Sequence, residues 1–331
     1  LENHLFKAGG FLTANLRNTD LWGEYSYLAN KLDWKFRIDR KVLDQDTESD
    51  AQKIRFNRFA LSATYPFSLL SKISVTGMYS TNRLFSQYSL TNQEDYAGYA
   101  GAQVNYVFDN TVPVFENIRT GLRFSFLAEA NQNIINEGNF VRLGMDVRYY
   151  KKLTNSFYFA SRFSASHQLG SATQASMLGG MDNWFFNKVE PRTQNTPLGS
   201  SNLATRDVFM SQFIAPLRGF NLNKLSGNSH LLLNMELRMP LKSLMSVESS
   251  SILSSVQLVG FTDVGSAWSG SSPFEKSNGF NTNVYGGSRN PFQATVTDYR
   301  NPFSDFLKYH KSVDTIKYRP LSIRNHLLIV E

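Results

Sequence analysis

The sequence predicts an all-β chain that folds as a transmembrane antiparallel β-barrel, and three observations lead to that fold class. Aromatic residues make up 14% of the 331 residues, yet the mean hydropathy is −0.32, so an aromatic-rich chain is polar on average. Apolar and polar residues alternate at period two in many segments. No stretch approaches the about 20 apolar residues that a transmembrane helix needs. A barrel accounts for all three, because each strand turns one face to lipid and the other to a polar lumen.

The alternation predicts about thirteen strands. In chain order they are 10–18, 21–29, 34–39, 54–66, 71–82, 96–108, 119–129, 141–150, 157–166, 175–186, 207–214, 229–240 and 254–268. Many are longer than the about 5 to 6 residues usual in soluble proteins, and this length suits a tilted strand that crosses a bilayer. Short links such as 30–31 alternate with long polar links at 44–52, 84–95 and 187–206. This asymmetry is typical of short periplasmic turns and long outer loops.

The segment 141–150 shows the two faces most clearly. One face carries Val141, Leu143, Met145, Val147 and Tyr149, and the other carries Arg142, Gly144, Asp146, Arg148 and Tyr150. The next run, 157–166, continues the pattern after a short link, which predicts a hairpin. Arg and Glu on the polar faces, such as Arg37 and Glu129, are expected to face water.

Composition argues against several other classes of protein. There is no cysteine, so neither a disulfide nor a thiolate metal site is available, and the five histidines lack metal-ligand spacing. We therefore expect no cofactor and no metal. The 34 Lys+Arg against 27 Asp+Glu give a net charge of +7, but the basic residues are scattered, which does not favour a nucleic-acid partner. The first ten residues show no signal-peptide pattern, so we expect that any such peptide, and the native start, are missing.

A Ser-His-acid site is the enzymatic alternative that the sequence offers. His167 with Ser164 or Ser166, and His230 with Ser229, are the candidate pairs. No Gly-x-Ser-x-Gly motif flanks either histidine, and the Gly-Gly pairs at 9, 179 and 286 lack the strand-to-helix setting of a phosphate-binding loop. We expect that the chain is not an enzyme, and a barrel hydrolase is the less favoured alternative.

From about residue 175 the motifs become specific. Met177 to Trp184 reads Met-Leu-Gly-Gly-Met-Asp-Asn-Trp, and Arg218-Gly219-Phe220 follows a long polar segment. Asn-Met-Glu-Leu-Arg-Met-Pro-Leu follows at 234–241, and Gly-Phe-Thr-Asp-Val-Gly-Ser-Ala-Trp at 260–268. This order resembles the bacterial surface antigen barrel, the C-terminal module of the BamA, TamA and two-partner-secretion transporter superfamily. The resemblance covers about residues 10–268. The Leu-Gly-Gly-x-Asp-Asn-Trp segment and Tyr65-Pro66-Phe67-Ser68 look like Bacteroidetes-type members.

The resemblance implies a site in the lumen. In that family an Arg-Gly-Phe/Tyr tripeptide tips a long extracellular loop that folds back into the barrel, and Arg218, Gly219 and Phe220 match it. It also places acids on the inner wall, at the positions of Glu236 and Asp263. The chemistry agrees, because a desolvated guanidinium needs a carboxylate partner.

Strand parity and side-chain type add detail to this site. Glu236 shares its face with Asn234 and Arg238, opposite an apolar face, which directs it to the lumen. Asp263 shares parity with Phe261 and Gln257, a less regular pattern. Glycine at 219 allows a backbone conformation closed to other residues, and Phe220 is expected to pack against the wall.

The resemblance also implies a location and a function. We expect one barrel domain over residues 1–331 in the bacterial outer membrane, acting in outer-membrane protein assembly or polypeptide translocation. The alternative is a passive pore or surface antigen. The expected partners are outer-membrane lipids, client polypeptides or nascent outer-membrane proteins, and periplasmic domains missing from this chain.

The end of the chain departs from the family pattern. Barrels of the family have sixteen strands and continue with three strands after the Phe-x-Asp-x-Gly strand. Residues 269–331 show no such strands and carry several scattered basic residues. We expect a divergent, truncated or frameshifted end.

Overall fold

The computed structural model describes residues 3–11, 19–46, 51–86, 95–115, 117–181, 210, 212–214, 217–221, 224–241, 256–270 and 272. These residues form strands β1 His4–Phe11, β2 Asp20–Tyr27, β3 Asp33–Asp46, β4 Ala51–Pro66, β5 Ser71–Ser86, β6 Asp95–Asp109, β7 Val112–Phe115, β8 Ile118–Asn133, β9 Asn139–Lys152, β10 Tyr158–Gly170, β11 Ser176–Leu178, β12 Gln212–Ile214, β13 Leu225–Gly227, β14 Ser229–Pro240 and β15 Gln257–Trp268. Within these ranges, no helix is long and apolar enough to cross a membrane.

Twelve of the strands form one sheet. Its order is β1-β2-β3-β4-β5-β6-β8-β9-β10-β14-β15, with β7 paired beside β8, and every pairing is antiparallel. Apart from β7, strands that are neighbours in the chain are neighbours in the sheet until β10, which pairs with β14. The residues between them, 171–228, are called the long loop below. They include β11, β12 and β13, which form a small second sheet in the order β12-β11-β13.

The large sheet has two chemically different faces. One, called the outer face, exposes large apolar side chains, and the register aligns them across strands: Phe36 opposes Leu61, and Phe126 opposes Met145. The other, called the inner face, carries ion pairs between neighbouring strands: Arg58–Asp39 at 2.9 Å, Arg142–Glu129 at 3.0 Å and Arg162–Asp146 at 2.8 Å. Apolar residues outside and charged residues inside are the arrangement that a strand between lipid and a polar lumen requires.

The predicted strands agree with the structure in the middle of the chain and differ at several ends. The expected hairpin of 141–150 and 157–166 is β9 paired with β10. Strand 10–18 is wrong where the structure describes it, because β1 is His4–Phe11. The predicted loops at 44–52 and 84–95 are too long, because the strands that precede them continue to Asp46 and Ser86. At the end of β3 polar residues occupy both faces, and at the end of β5 the apolar Leu84 and Phe85 are consecutive, so the alternation that marks a strand is lost at both ends.

Two short strands, β7 and β13, were not predicted, and the predicted strand 175–186 contains the three-residue β11. Segments this short contain too few residues to establish a period. The predictions for residues 182–184 of the Leu-Gly-Gly motif, and for nearly all of 269–331, fall outside the described residues.

The expectation that inner-face acids contact water is wrong for Glu129. Its side chain is only 8% exposed and accepts hydrogen bonds from Arg142 and Asn131. Asp39 is also buried, between Arg37 and Arg58. The parity of these residues was predicted correctly, but their own hydrogen-bond partners cover the two carboxylates.

The long loop packs against the inner face of β14 and β15, the last two strands that the structure describes. Leu178 of β11, Leu217 and Leu225 form a buried cluster with Leu232 of β14 and Ala267 of β15. Burial of a leucine side chain stabilises by about 1.5 to 3 kcal/mol, so this cluster fixes the loop on the wall. It also sets the position of the residues that follow Leu217.

Candidate functional site

A tight turn presents Arg218 to the wall. The backbone N–H of Leu217 donates to the carbonyl oxygen of Gly180 at 3.0 Å, which ties the turn to the end of β11. Gly219 has a φ of +85°, a region that residues with a Cβ rarely adopt. Arg218 therefore leaves the turn in one direction, toward β15.

Asp263 is the main partner of Arg218. Its carboxylate accepts the Arg218 backbone N–H at 3.0 Å, Nε at 2.7 Å and Nη2 at 2.6 Å. The side-chain amide of Asn234, opposite Asp263 on β14, donates to the same carboxylate at 2.8 Å. Asp263 is 0% exposed, and these four donors replace the water that its charge would otherwise bind.

Glu236 is the second acid. Arg218 Nη1 donates to Glu236 Oε1 at 2.6 Å, and Arg238 donates through Nε to Glu236 Oε2 at 2.6 Å. Arg238 also donates to the carbonyl oxygen of Asn117, in the turn between β7 and β8. A continuous line of charged hydrogen bonds therefore runs from the long loop, across β14, to a turn at the far end of the sheet.

The aromatic ring of Phe261 lies beneath the guanidinium. The Arg218 Cζ atom is 3.8 Å from its centroid, a cation–π contact that adds about 0.5 to 2 kcal/mol. Only 11% of the Arg218 side chain is exposed. Burial opposes the charge, but the hydrogen bonds and charges of Asp263 and Glu236 outweigh that effect, and the pKa of Arg218 lies above its ordinary value. The guanidinium is thus held charged at any physiological pH.

Two apolar side chains flank the turn. Phe220 packs against the buried cluster formed by the long loop with β14 and β15. Leu217 lies so close to β15 that a Cβ added to Gly265 would come within 3.2 Å of Leu217 Cδ1. The absence of a side chain at Gly265 lets the loop approach the strand. The sequence predicts Arg218, Gly219, Phe220, Glu236 and Asp263 as site residues, but it does not predict Asn234 as a donor, Phe261 as the stacking ring or the role of Gly265.

A second anchor holds the long loop on the other side of the inner face. Arg142 of β9 donates to the backbone carbonyl oxygen of Met210 at 3.2 Å while it pairs with Glu129. The Met210 side chain packs on Ala97, Tyr99 and Phe140, and its sulfur accepts from the Ser80 hydroxyl at 3.7 Å. Nothing in the sequence around Met210 points to this contact, and only the inward parity of Arg142 and Glu129 hints at it.

The histidines considered for catalysis pair differently from the expectation. His230 lies 3.2 Å from the Ser164 hydroxyl on the inner face, and His167 lies 2.7 Å from Ser229. Neighbouring residues of one strand point to opposite faces, so the within-strand pairs are excluded and cross-strand pairs form instead. The other ring nitrogen of His230 has no hydrogen-bond partner, so no carboxylate orients this ring. Among the described residues, no three His, Asp or Glu side chains are grouped to hold a metal ion.

Comparison with known proteins identifies a family and a fold. The family described as the Omp85 superfamily domain matches residues 13–297. The crystal structure of BamA from Haemophilus ducreyi lacking POTRA domains 1-3 is similar in fold, with a TM-score of 0.52 and 11% sequence identity. The match covers 76% of this chain and 50% of that one, so the chain spans half the length of the solved protein. No curated protein sequence matches. The barrel fold is confirmed, and the Bacteroidetes-type branch stays a prediction.

Proposed function

The chain belongs to the Omp85 superfamily and is a β-barrel of the bacterial outer membrane, and from this premise we propose that it assembles outer-membrane proteins or translocates a polypeptide. The observation that carries the proposal is the docking of Arg218 on Asp263 and Glu236. We further propose that residues 1–331 act as one barrel domain. The BamA of known structure lacks POTRA domains 1-3, and periplasmic domains that act with this barrel are part of the proposal.

The hydrogen-bond geometry supports a loop with one well-defined docked position. Asp263 is buried, and its charge is balanced by donors from the loop and from β14. A charge network of this kind is stabilising only when all its members are present. The loop is therefore either docked with its network complete or released into water. Two distinct states are what a protein needs in order to bind and release a client.

The place of docking supports a role in handling polypeptides. Arg218 bridges β14 and β15, because Glu236 belongs to the first strand and Asp263 to the second. Release of the loop removes this bridge and uncovers the inner wall of both strands. An extended client would then contact the polar inner-face side chains of β14 and β15, with Arg218 withdrawn. Client polypeptides or nascent outer-membrane proteins are the proposed partners.

The test uses the full chain folded into liposomes. The probe is a urea-unfolded eight-stranded outer-membrane protein, and the measurement is the rate at which it acquires heat-modifiable mobility on cold gels. The probe should fold faster in liposomes that contain the wild-type chain than in empty liposomes. Arg218→Ala should abolish most of that increase in rate. Arg148→Ala is the matched control, since Arg148 pairs with Asp146 on the same inner face away from the loop. A second arm follows protease protection of an unfolded polypeptide taken up by the liposomes.

The alternative of a passive pore gives a different result. If liposomes that contain the wild-type chain conduct ions but neither accelerate folding of the probe nor take up polypeptide, the protein is a pore that the long loop plugs. If Arg218→Ala shows wild-type heat-modifiability and wild-type activity in both arms, the docking of Arg218 on Asp263 and Glu236 has no part in the function.

A further inference from the structure

A groove of about 720 Å³ crosses the outer face of the sheet from β6 to β15. Two neighbouring rows of side chains, each aligned by register, line it. The first row runs from Tyr106 of β6 to Leu231 of β14, and the second runs from Val104 of β6 to Trp268 of β15. Sites for small ligands usually have a volume of about 300 to 1,000 Å³, so the groove is large enough to hold one.

Small side chains give the groove its depth. Each row contains one alanine between larger side chains, Ala165 in the first row and Ala128 in the second. Leu143, opposite Ala128 on β9, is 51% exposed and forms part of the wall. The outer-face side chains of the lining are apolar or aromatic, and His167 is the most polar of them. The occupant must therefore be apolar along most of its length.

The groove descends through the membrane. Its β15 end is at Trp268, the last residue of that strand, on the end of the sheet from which the long loop emerges. Its β6 end is at Val104, five residues before β6 ends at Asp109, on the end of the sheet with the short turns. Long connections of outer-membrane barrels are extracellular, and tryptophans near strand ends lie at headgroup level. The groove therefore runs from the outer-leaflet headgroups toward the bilayer centre, as an acyl chain does.

His167 offers a hydrogen-bond acceptor near the outer end of the groove. The buried Ser229 hydroxyl donates to Asn228 Oδ1 at 3.0 Å. A hydroxyl has one proton, so the Nδ1 atom of His167 is the donor in its 2.7 Å contact with Ser229. In a neutral imidazole Nε2 is then an acceptor, and no described residue donates to it. An acceptor that faces lipid without a donor is costly, so an occupant with a hydroxyl group at this point is favoured.

We propose that the groove binds an acyl chain of an outer-leaflet lipid, and that this chain carries a hydroxyl group close to the headgroup. The hydroxyl donates to His167 Nε2, and the rest of the chain lies between the two rows toward Val104 and Tyr106. The hydroxyl makes the site selective, because a plain acyl chain leaves the acceptor of His167 unpaired.

The test is native mass spectrometry of the folded full chain in detergent, with two probes that differ by one hydroxyl group. One is a phosphatidylethanolamine with a 3-hydroxytetradecanoyl chain, and the other is the same lipid with a tetradecanoyl chain. Wild type should retain the hydroxylated lipid about fivefold more strongly, the factor expected for one neutral hydrogen bond. Equal retention of the two lipids would overturn the proposal, and this comparison needs no variant.

Two variants separate the acceptor from the groove. His167→Phe keeps an aromatic ring but removes the acceptor, so it should retain both lipids equally. Ala165→Phe fills the groove and should lose most of the bound hydroxylated lipid. Ala63→Phe is the matched control, because Ala63 lies on the outer face of β4 between Trp34 and Val75, away from the groove, and it should bind as wild type does. Heat-modifiability of each variant checks that it is folded.

Three results with folded variants would contradict the proposal. Wild-type retention of the hydroxylated lipid by Ala165→Phe would place the lipid outside the groove. Preference for the hydroxylated lipid in His167→Phe would overturn the role of His167. A dimer in the wild-type spectrum that Ala165→Phe abolishes would show that a second copy of the chain occupies the groove, and it would overturn the assignment to lipid.

Discussion

Arg218 donates three hydrogen bonds to Asp263, one from its backbone and two from its guanidinium, and Asp263 is wholly removed from solvent. The backbone hydrogen bond fixes the main chain of Arg218 against β15, in addition to the ion pair of its side chain. Removing the arginine side chain leaves a buried carboxylate with fewer donors, a change that usually costs about 3 to 5 kcal/mol.

Arg218→Ala should therefore undock the turn. Amide hydrogen exchange of residues 217–221 should accelerate by at least about a hundredfold, the factor that corresponds to about 3 kcal/mol, while the amides of β8 and β9 keep their protection. Arg218→Lys should give an intermediate effect, because a lysine cannot make the bidentate contact. Unchanged exchange at 217–221 in the alanine variant would mean that the apolar cluster alone holds the loop.

The two acids should differ in importance. Asp263→Asn removes the charge that accepts three donors from Arg218 and one from Asn234, whereas Glu236→Gln affects one bond to Arg218 and leaves Arg238 close to Asn117. We expect the temperature at which heat-modifiability is lost to fall more in Asp263→Asn than in Glu236→Gln. The reverse order would place the main anchor on β14.

The turn itself should depend on glycine. A side chain at a positive φ costs about 1 to 2 kcal/mol, and a β-branched residue fits that region worst. Gly219→Val should weaken docking more than Gly219→Ala, as measured by protease cleavage within the long loop. Gly77→Ala is the control, because a Cβ there meets nothing within 4 Å. If Gly219→Val is as resistant as Gly77→Ala, the turn does not require the observed backbone.

The contact of Met210 with Arg142 should break independently of the contacts of Arg218 with Asp263 and Glu236. The chain has no cysteine, so Met210→Cys and Phe220→Cys each give a single reactive thiol. In an Arg142→Ala background, labelling at position 210 should rise by about tenfold, the loss expected for one charge-assisted hydrogen bond, and labelling at position 220 should not change. An equal rise at both positions would show that the long loop is released as one unit.

The sequence was sufficient to predict the fold class because period-two alternation is a local property that survives without an alignment. The long segments such as β9 and β10 were predicted with the correct faces, since lipid and lumen select different residues at every step. The strand end at Asp46 was missed, because both faces of β3 carry polar residues there. The pattern that marks a strand vanishes there although the hydrogen bonds continue.

The candidate site was predictable in part. Parity and the resemblance named Arg218, Glu236 and Asp263, and the structure brings these three side chains together; their role in function stays a prediction. Asn234 as a donor, Phe261 as a stacking ring and the Met210 anchor depend on which residues become neighbours across strands. That information lies in the register and in the path of the long loop, and neither leaves a periodic trace in the sequence.

The docked loop also constrains the order of events in folding. Arg218 lies 18 residues before Glu236 and 45 before Asp263, and the two acids come side by side only when β14 has paired with β15. An earlier entry would bury a lone guanidinium at a cost of several kcal/mol. Closure of the loop is therefore a late step, and its completion marks a molecule whose last described pair of strands is already in register.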